Sequence, residues 1–420
     1  MLQRTNLLLL VLAALSWSCQ PSETPAPEVD YSSMSEAQLD SVAQELAHKY
    51  IITDGHVDLP YRLQVSNFRL TKEFIGIPVE TDEGDFDYVR AQEGGLDAPF
   101  MSIYIPASKG TGQEAYDFAD ELITMVKGIA DSIPDKFQVV TSPGEVEANF
   151  EKGTISLPMG MENGSPIMDD LANVQYWHDR GIRYITLTHS KDNQICDSSY
   201  DTTGTWNGLS PFGREVVAEM NRVGIMVDIS HVSDSTFYQV MELTEVPVIA
   251  SHSSCRKFTP GFERNMSDDM IKRLGENGGV IQINFGSTFL DGNIADERNR
   301  QRDELRSLLE EKGLSANDEG AEEVIEQYRQ ENPSLYSDVE MVANHIDNVV
   351  ELAGIDHVGL GSDFDGVGDS LPTGLKDVSQ YPNLIKELLK RGYSEEDIAK
   401  ICYKNVFRVW QAVEDHAKNI

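Results

Sequence analysis

Eight short apolar runs punctuate the chain, near residues 50–55, 98–105, 154–161, 183–188, 223–230, 246–251, 278–285 and 357–362. Most are continuously hydrophobic rather than alternating, the pattern of strands buried on both faces. Between them lie stretches with apolar residues at helical spacing, at 114–131, 169–180, 211–223, 233–244 and 266–276. Asp169 and Ser233 stand where helix N-caps belong. Strand–helix alternation of this kind implies parallel strands joined by right-handed crossovers. Eight such units predict a (β/α)8 barrel of the TIM type. Two segments depart from the regular unit. Residues 64–97 are rich in Gly and acidic side chains and predict a loop with short strands near the barrel mouth. Residues 287–340 are strongly charged and helical in pattern, a helical insertion between strands 7 and 8. That position lies over the face where barrels place their chemistry. A lid, a surface for a homodimer and a solvated appendage all suit it.

The ends of the apolar runs carry the chemistry. The first finishes in Asp54-Gly55-His56-Val57-Asp58-Leu59-Pro60. Side chains two apart on a strand point the same way, so His56 and Asp58 can reach one point. A neutral imidazole and a carboxylate converging there form half of a transition-metal site. The alternative for any one such pair is an ordinary polar strand end. The arrangement recurs, however: later runs finish on Glu162, His189, His231, His252 and Asp363. Polar side chains gathered at the C-terminal ends of many strands are what a parallel barrel uses for catalysis.

Composition narrows the partners. The 420 residues are 40% hydrophobic, enough for a large core, and carry 34 basic against 70 acidic side chains, a net charge of −36. Nucleic acid, which needs a basic footprint, is excluded, as is electrostatic docking on anionic lipid. At the N-terminus Arg4 precedes the aliphatic run Leu7 to Leu15, too short to span a bilayer. It reads as a signal peptide. Ser16-Trp17-Ser18-Cys19 resembles a bacterial lipoprotein cleavage site. Residues 1–18 are then removed, and 19–44 become a lipidated N-terminus at Cys19 with a flexible, Pro- and Ser-rich tether. Residues 45–420 form the folded domain. The expected location is the bacterial cell envelope, with membrane attachment through the N-terminal lipid; plain secretion is the alternative. Cys196, Cys255 and Cys402 cannot all pair, and their spacing suits no thiolate metal site. A disulfide involving Cys196 stays open.

Taken together, the ordered motifs carry a family resemblance. They are Asp54–Pro60, Gly160-Met161-Glu162-Asn163-Gly164, Asp228-Ile229-Ser230-His231-Val232-Ser233, Ser251-His252-Ser253-Ser254, Arg264-Asn265 and Gly361-Ser362-Asp363-Phe364-Asp365-Gly366. From about residue 45 onward the chain resembles the membrane (renal-type) dipeptidase family of zinc peptidases. Two departures are Val57, where a small polar residue is common, and Asn163, where the family often has Gly. The resemblance implies a metallopeptidase with two Zn2+ per chain: His56 and Asp58 on one ion, His231 and His252 on the other, Glu162 bridging both. Water held between two dications loses a proton near neutral pH, so the implied nucleophile is a metal-bridging hydroxide and the implied substrates are L-L and L-D dipeptides. Asp363 is similar to the family's proton-transfer carboxylate. His189 matches its non-ligand histidine, which stabilises the oxyanion. Arg264 matches the residue that grips the substrate carboxylate in two-pronged fashion. His48, His178, His345, His357 and His416 have no matching context and read as structural or surface residues.

Two other readings remain at this stage. One is a different binuclear-metal amidohydrolase acting on a non-peptide amide or lactone. Against it, the first strand lacks His-x-His, and Lys191 is the only lysine near a strand end that could be carbamylated. The other is a non-catalytic lipid-anchored binding protein, against which every ligand position is filled.

Overall fold

The structure is a computed structural model and describes residues 30–420. Signal peptide, Cys19 and most of the tether lie outside the described residues. Among the described residues ten strands occur in chain order: β1 (Ile52–Val57), β2 (Leu96–Tyr104), β3 (Phe137–Val139), β4 (Ile155–Leu157), β5 (Met159–Glu162), β6 (Ile182–Thr186), β7 (Met226–Asp228), β8 (Ile249–Ser253), β9 (Val280–Ile283) and β10 (Val358–Leu360). Eight of them form one parallel sheet in the order β1-β2-β5-β6-β7-β8-β9-β10. The two edges meet. Asp58 donates its N–H to Phe364 O at 2.8 Å and Asp363 donates to His56 O at 3.1 Å. The sheet is therefore a (β/α)8 barrel, as the alternating pattern predicts.

Its interior is tight. A Cβ on Gly55 would lie 2.4 Å from Ser251 O and 2.3 Å from Gln282 Nε2, so only glycine fits there. Below the polar rim, inward residues Ala98, Phe100, Tyr184, Met226, Ile249 and Val280 form one apolar cluster with Phe407 and Trp410. The last two come from the C-terminal helix Asn405–Asn419, which closes the barrel floor. Outside, amphipathic helices such as Gln113–Ser132, Pro211–Val223, Asp234–Leu243 and Asp268–Asn277 cover the sheet. Ser233 caps its helix by accepting from Thr236 N.

Three expectations need correction. The run 154–161 is not one strand. Pro158 cannot donate to a ladder, and it separates β4, which pairs only with β3, from β5 in the barrel. Asp169 is not a cap: its helix begins at Ala172, and Asp170 accepts from the Ala172 N–H at 3.0 Å instead. Residues 64–97 run in turns from the end of helix Leu59–Val65 to helix Tyr88–Gly94, and no short strand lies between those helices. The 287–340 segment is helical, as its pattern predicts, with helices at Ser287–Leu290, Gly292–Glu311 and Ala321–Glu331. Tyr336 and Arg298 pin it to Asp369 in the loop after β10.

Candidate metal centre

Strand ends around the barrel deliver seven titratable side chains to one place. His56 sits within β1 and Asp58 directly after it; Glu162 ends β5 and His252 lies within β8. His189, His231 and Asp363 follow β6, β7 and β10. His56, Asp58, Glu162, His231, His252 and Asp363 are all buried, while His189 keeps 21% of its side chain exposed. Above them opens a cavity of about 500 Å3, walled by Tyr61, Tyr104, Tyr200, Phe289 and Val367. Phe289 belongs to the first helix of the 287–340 segment, so the start of that insertion is part of the site wall.

Glu162 stands at the centre. Its Oε2 lies 3.4 Å from His56 Nε2, which is itself 3.5 Å from Asp58 Oδ2. Its Oε1 lies 3.0 Å from His231 Nε2, 3.3 Å from His252 Nε2 and 3.6 Å from His189 Nε2. The two imidazole nitrogens of His231 and His252 are 2.8 Å apart. Donor atoms of His56, Asp58 and Asp363 also gather within 4.8 Å of one another. His56 Nε2 and Asp58 Oδ1 are buried without a hydrogen-bond partner. Buried acceptors aimed at a shared space without proton donors are costly unless a cation fills it. The mixed imidazole and carboxylate set fits zinc and its first-row neighbours.

Electrostatics suit ligation. Burial pushes His189, His231 and His252 below the usual imidazole range, which keeps them neutral. Burial also opposes a charge on His56, but Tyr184, Glu162 and Asp58 outweigh it and raise it well above that range. A bound dication would displace that proton. Burial alone would raise Glu162, yet the charge on His56 and the surrounding imidazoles of His189, His231 and His252 hold it well below the usual carboxylate range. Burial lifts Asp363 to about 7; His56 opposes the rise, and the like charges of Asp58 and Glu162 add to it.

A polar scaffold that the sequence reading missed surrounds these groups. Asp54 accepts from the N–H groups of His56 and Ser362 and from Tyr381 Oη. Asp228 accepts from the N–H groups of Ser230 and Ser251 and from Thr186 Oγ1 and Ser251 Oγ. Asn284 donates to Asp363 Oδ2 at 2.7 Å. Tyr184 Oη meets His56 Nδ1 at 2.9 Å, and Ser251 Oγ meets His252 Nδ1 at 2.8 Å. The signal available in sequence was an aspartate two or three places before a ligand-type histidine. The tyrosine carried none.

Arg264 lies beside the cluster, buried under the Phe289 ring at 5.6 Å. Its Nη1 donates to Ser253 Oγ and its Nη2 to His252 O, both at 2.7 Å, while Nε has no partner. Asn163 adopts φ +82°, which explains why Asn stands where Gly is frequent. Its amide donates to Ile105 O and accepts from Ser165. Cys196, Cys255 and Cys402 are buried free thiols, so the disulfide left open for Cys196 does not form. His345 bridges Cys255 N and Leu290 O, a structural role. Lys191 is exposed and pairs with Asp201.

Comparison with known proteins places this geometry. Residues 41–420 match the model of the membrane dipeptidase family, Peptidase family M19. An uncharacterized dipeptidase of Schizosaccharomyces pombe is 32% identical over 381 residues, 88% of this chain and 82% of that protein. Dipeptidase aclJ of Aspergillus oryzae is 32% identical over 389 residues, 90% of this chain and 82% of that protein. Among solved structures, the probable dipeptidase PvdM of Pseudomonas aeruginosa matches with TM-score 0.76 and 26% identity, covering 91% of this chain and 100% of that one. A metallo peptidase from Rhodobacter sphaeroides, liganded with a phosphinate mimic of the dipeptide L-Ala-D-Ala, matches with TM-score 0.69 and 25% identity, covering 87% and 99%. The chain therefore belongs to the membrane dipeptidase family, Peptidase family M19, and is a metallo-dipeptidase.

Proposed function

We propose that the protein hydrolyses L-L and L-D dipeptides with two zinc ions. One observation carries the reading: Glu162 turns one carboxylate oxygen toward His56 and the other toward His231 and His252. His56 and Asp58 would hold one ion, His231 and His252 the other, and Glu162 both. Two such ions would lower the pKa of bound water and so supply a hydrolytic nucleophile at neutral pH. The chain does the rest. Asp363, with Oδ2 fixed by Asn284, takes the water proton and returns it to the leaving amine. His189 Nε2 donates to the carbonyl oxygen as it becomes anionic. Arg264, whose Nε has no partner, attracts the substrate carboxylate. Cleavage of L-D dipeptides is supported by the L-Ala-D-Ala mimic bound to the Rhodobacter sphaeroides relative. Lipidation at Cys19 and location in the cell envelope rest on the N-terminal sequence.

The test combines metal analysis with a screen of L-L, L-D and D-L dipeptides. Two divalent ions per chain are expected, with turnover lost on chelation and restored by Zn2+. Full activity in protein stripped of metal refutes the reading. Turnover of lactones or non-peptide amides with none of dipeptides would move the protein to the broader amidohydrolases. Glu162→Ala should deplete both ions, because both depend on the one carboxylate.

A further inference from the structure

Each proposed ion has one histidine whose outer nitrogen meets a buried hydroxyl, and that hydroxyl has only one place to send its proton. Tyr184 Oη lies 3.0 Å from Gly55 O and 2.9 Å from His56 Nδ1. A carbonyl oxygen can only accept. Both contacts are hydrogen bonds only if the phenol donates to Gly55 and accepts from His56 Nδ1–H. His56 is then the Nδ1–H tautomer, and its Nε2 lone pair faces Asp58 and Glu162. The second case has the same logic with different chemistry. Ser251 Oγ lies 2.6 Å from Asp228 Oδ2 and 2.8 Å from His252 Nδ1. A carboxylate accepts, so the serine proton goes to Asp228 and the serine oxygen accepts from His252 Nδ1–H. Again Nε2 is left as a lone pair, directed at Glu162 Oε1.

The other two imidazoles lack this feature. His231 Nδ1 and His189 Nδ1 are buried with no partner, so nothing in the fold selects their tautomer. His231 also sits at φ +67°, a conformation that strains a residue with a side chain. The tyrosine is placed deliberately. It reaches across the barrel from β6, and a Cβ on Gly160 of β5 would lie 1.9 Å from its Cζ. Glycine at 160 is what lets the ring pass.

We propose that Tyr184 and Ser251 are positioning residues, each using one committed hydroxyl proton to fix the tautomer of a different metal-ligand histidine. The proposal rests on the assignment of His56 and His252 as ligands of separate ions. Each ion would then have one preset imidazole, and loss of either hydroxyl should loosen one ion only. Removing such outer partners typically weakens metal binding about 10- to 100-fold.

The experiment follows metal release from the loaded full-length protein into a chromogenic chelator, without measuring turnover. Tyr184→Phe should release one ion per chain roughly 10- to 100-fold faster than wild type and keep the other near the wild-type rate. Ser251→Ala should do the same, and the double variant should release both ions fast. Ser251→Thr, which restores a hydroxyl, should recover the slow rate. The absorption of Co2+-loaded protein should change in both single variants but differ between them, a signature that general loosening does not produce. Circular dichroism checks that each variant is folded. Wild-type release from both single variants overturns the proposal. So does a double variant that still keeps one slow ion, because both hydroxyls would then serve the same metal. Equal acceleration of both ions by each single variant also overturns it. A wild-type protein that holds no ions would instead end the two-metal reading itself.

Discussion

Asp363→Asn separates chemistry from metal binding at this site. The substitution keeps the side chain's size, and Asn284 Nδ2, 2.7 Å from Asp363 Oδ2, can donate equally well to the amide oxygen. Fold and ion content should therefore hold. What disappears is the group able to take and return a proton. Loss of a positioned acid–base group lowers kcat by about 10²- to 10⁴-fold, roughly 3–5 kcal/mol of barrier. The pH profile gives a second, independent reading. Burial lifts the Asp363 carboxyl to about 7, and a base must be ionised to act. Wild-type kcat/KM should then rise with pH and level off near or below 7, since bound dications pull the midpoint down. Below the midpoint it should fall about tenfold per pH unit. Dipeptide hydrolysis from pH 5 to 9, with metal content measured on the same samples, provides both readouts. In the variant the acidic limb should flatten. A kcat within tenfold of wild type, or an acidic limb that survives the substitution, would refute the assignment of Asp363 as the proton carrier.

Two further outcomes follow from the geometry. Arg264→Ala should lower kcat/KM for free dipeptides by an amount equivalent to about 2–5 kcal/mol, the usual loss when one partner of a desolvated charged pair is removed. It should scarcely change the already poor turnover of dipeptide amides; equal losses on acid and amide would make Arg264 a scaffold for Ser253 and His252 O alone. Burial raises Asp97, which accepts from Ile52 N, to about 7. Between pH 3.8 and 7 the folded state binds more protons than the unfolded one, so stability falls as pH rises through that window. Asp97→Asn should accordingly stabilise the protein at pH 8 and leave it unchanged below pH 4. The gain is at most roughly 4 kcal/mol, because the side chain keeps some solvent access. Denaturant melts at the two pH values test this, and a pH-independent difference would remove the burial argument.

The barrel and its reacting groups were legible for one reason: both repeat. Strands buried on two faces read as continuous apolar runs, and side chains at the ends of such runs share one face of the barrel. His56, Glu162, His189, His231, His252 and Asp363 could be picked out on that rule alone. Boundaries were less visible. Pro158 splits an apolar run that otherwise reads as one strand, because hydrophobicity does not reveal a missing N–H donor. Of the scaffold, Asp54 and Asp228 left a trace in their spacing from a histidine, and the hydroxyl partners left none. Tyr184 sits in an apolar run as an ordinary core aromatic, and its partner His56 is 128 positions away. Ser251 is a neighbour of His252, yet its value depends on Asp228 in the adjacent strand. Such pairings have no period in sequence; they exist only once the register of the sheet is set.

Asp54 and Asp228 show how that register becomes a reactive site. Each stands two or three places before a proposed ligand, and each accepts N–H groups from its own strand end and from another barrel segment. Asp54 holds the amides of His56 and Ser362, next to Asp363. Asp228 holds those of Ser230, next to His231, and Ser251, next to His252. A lone carboxylate in this interior would be strongly destabilising. Here several donors surround each one and oppose the cost of burial, and the strand ends become fixed points. That matters because the two residues following these anchors, His231 and Asp363, adopt φ of +67° and +65°. Left-handed backbone at non-glycine residues costs about 1–3 kcal/mol each and persists only where neighbours over-determine it. From the apolar barrel floor around Trp410, the Tyr184 hydroxyl reaches the first strand's end at Gly55 O and His56 Nδ1, whereas the aspartates tie several strand ends together. The stability of the site thus draws on the two buried aspartates together with Asn284, Tyr184 and Ser251. They turn the open upper end of a hydrophobic barrel into a frame rigid enough to hold several buried imidazoles and carboxylates in one place.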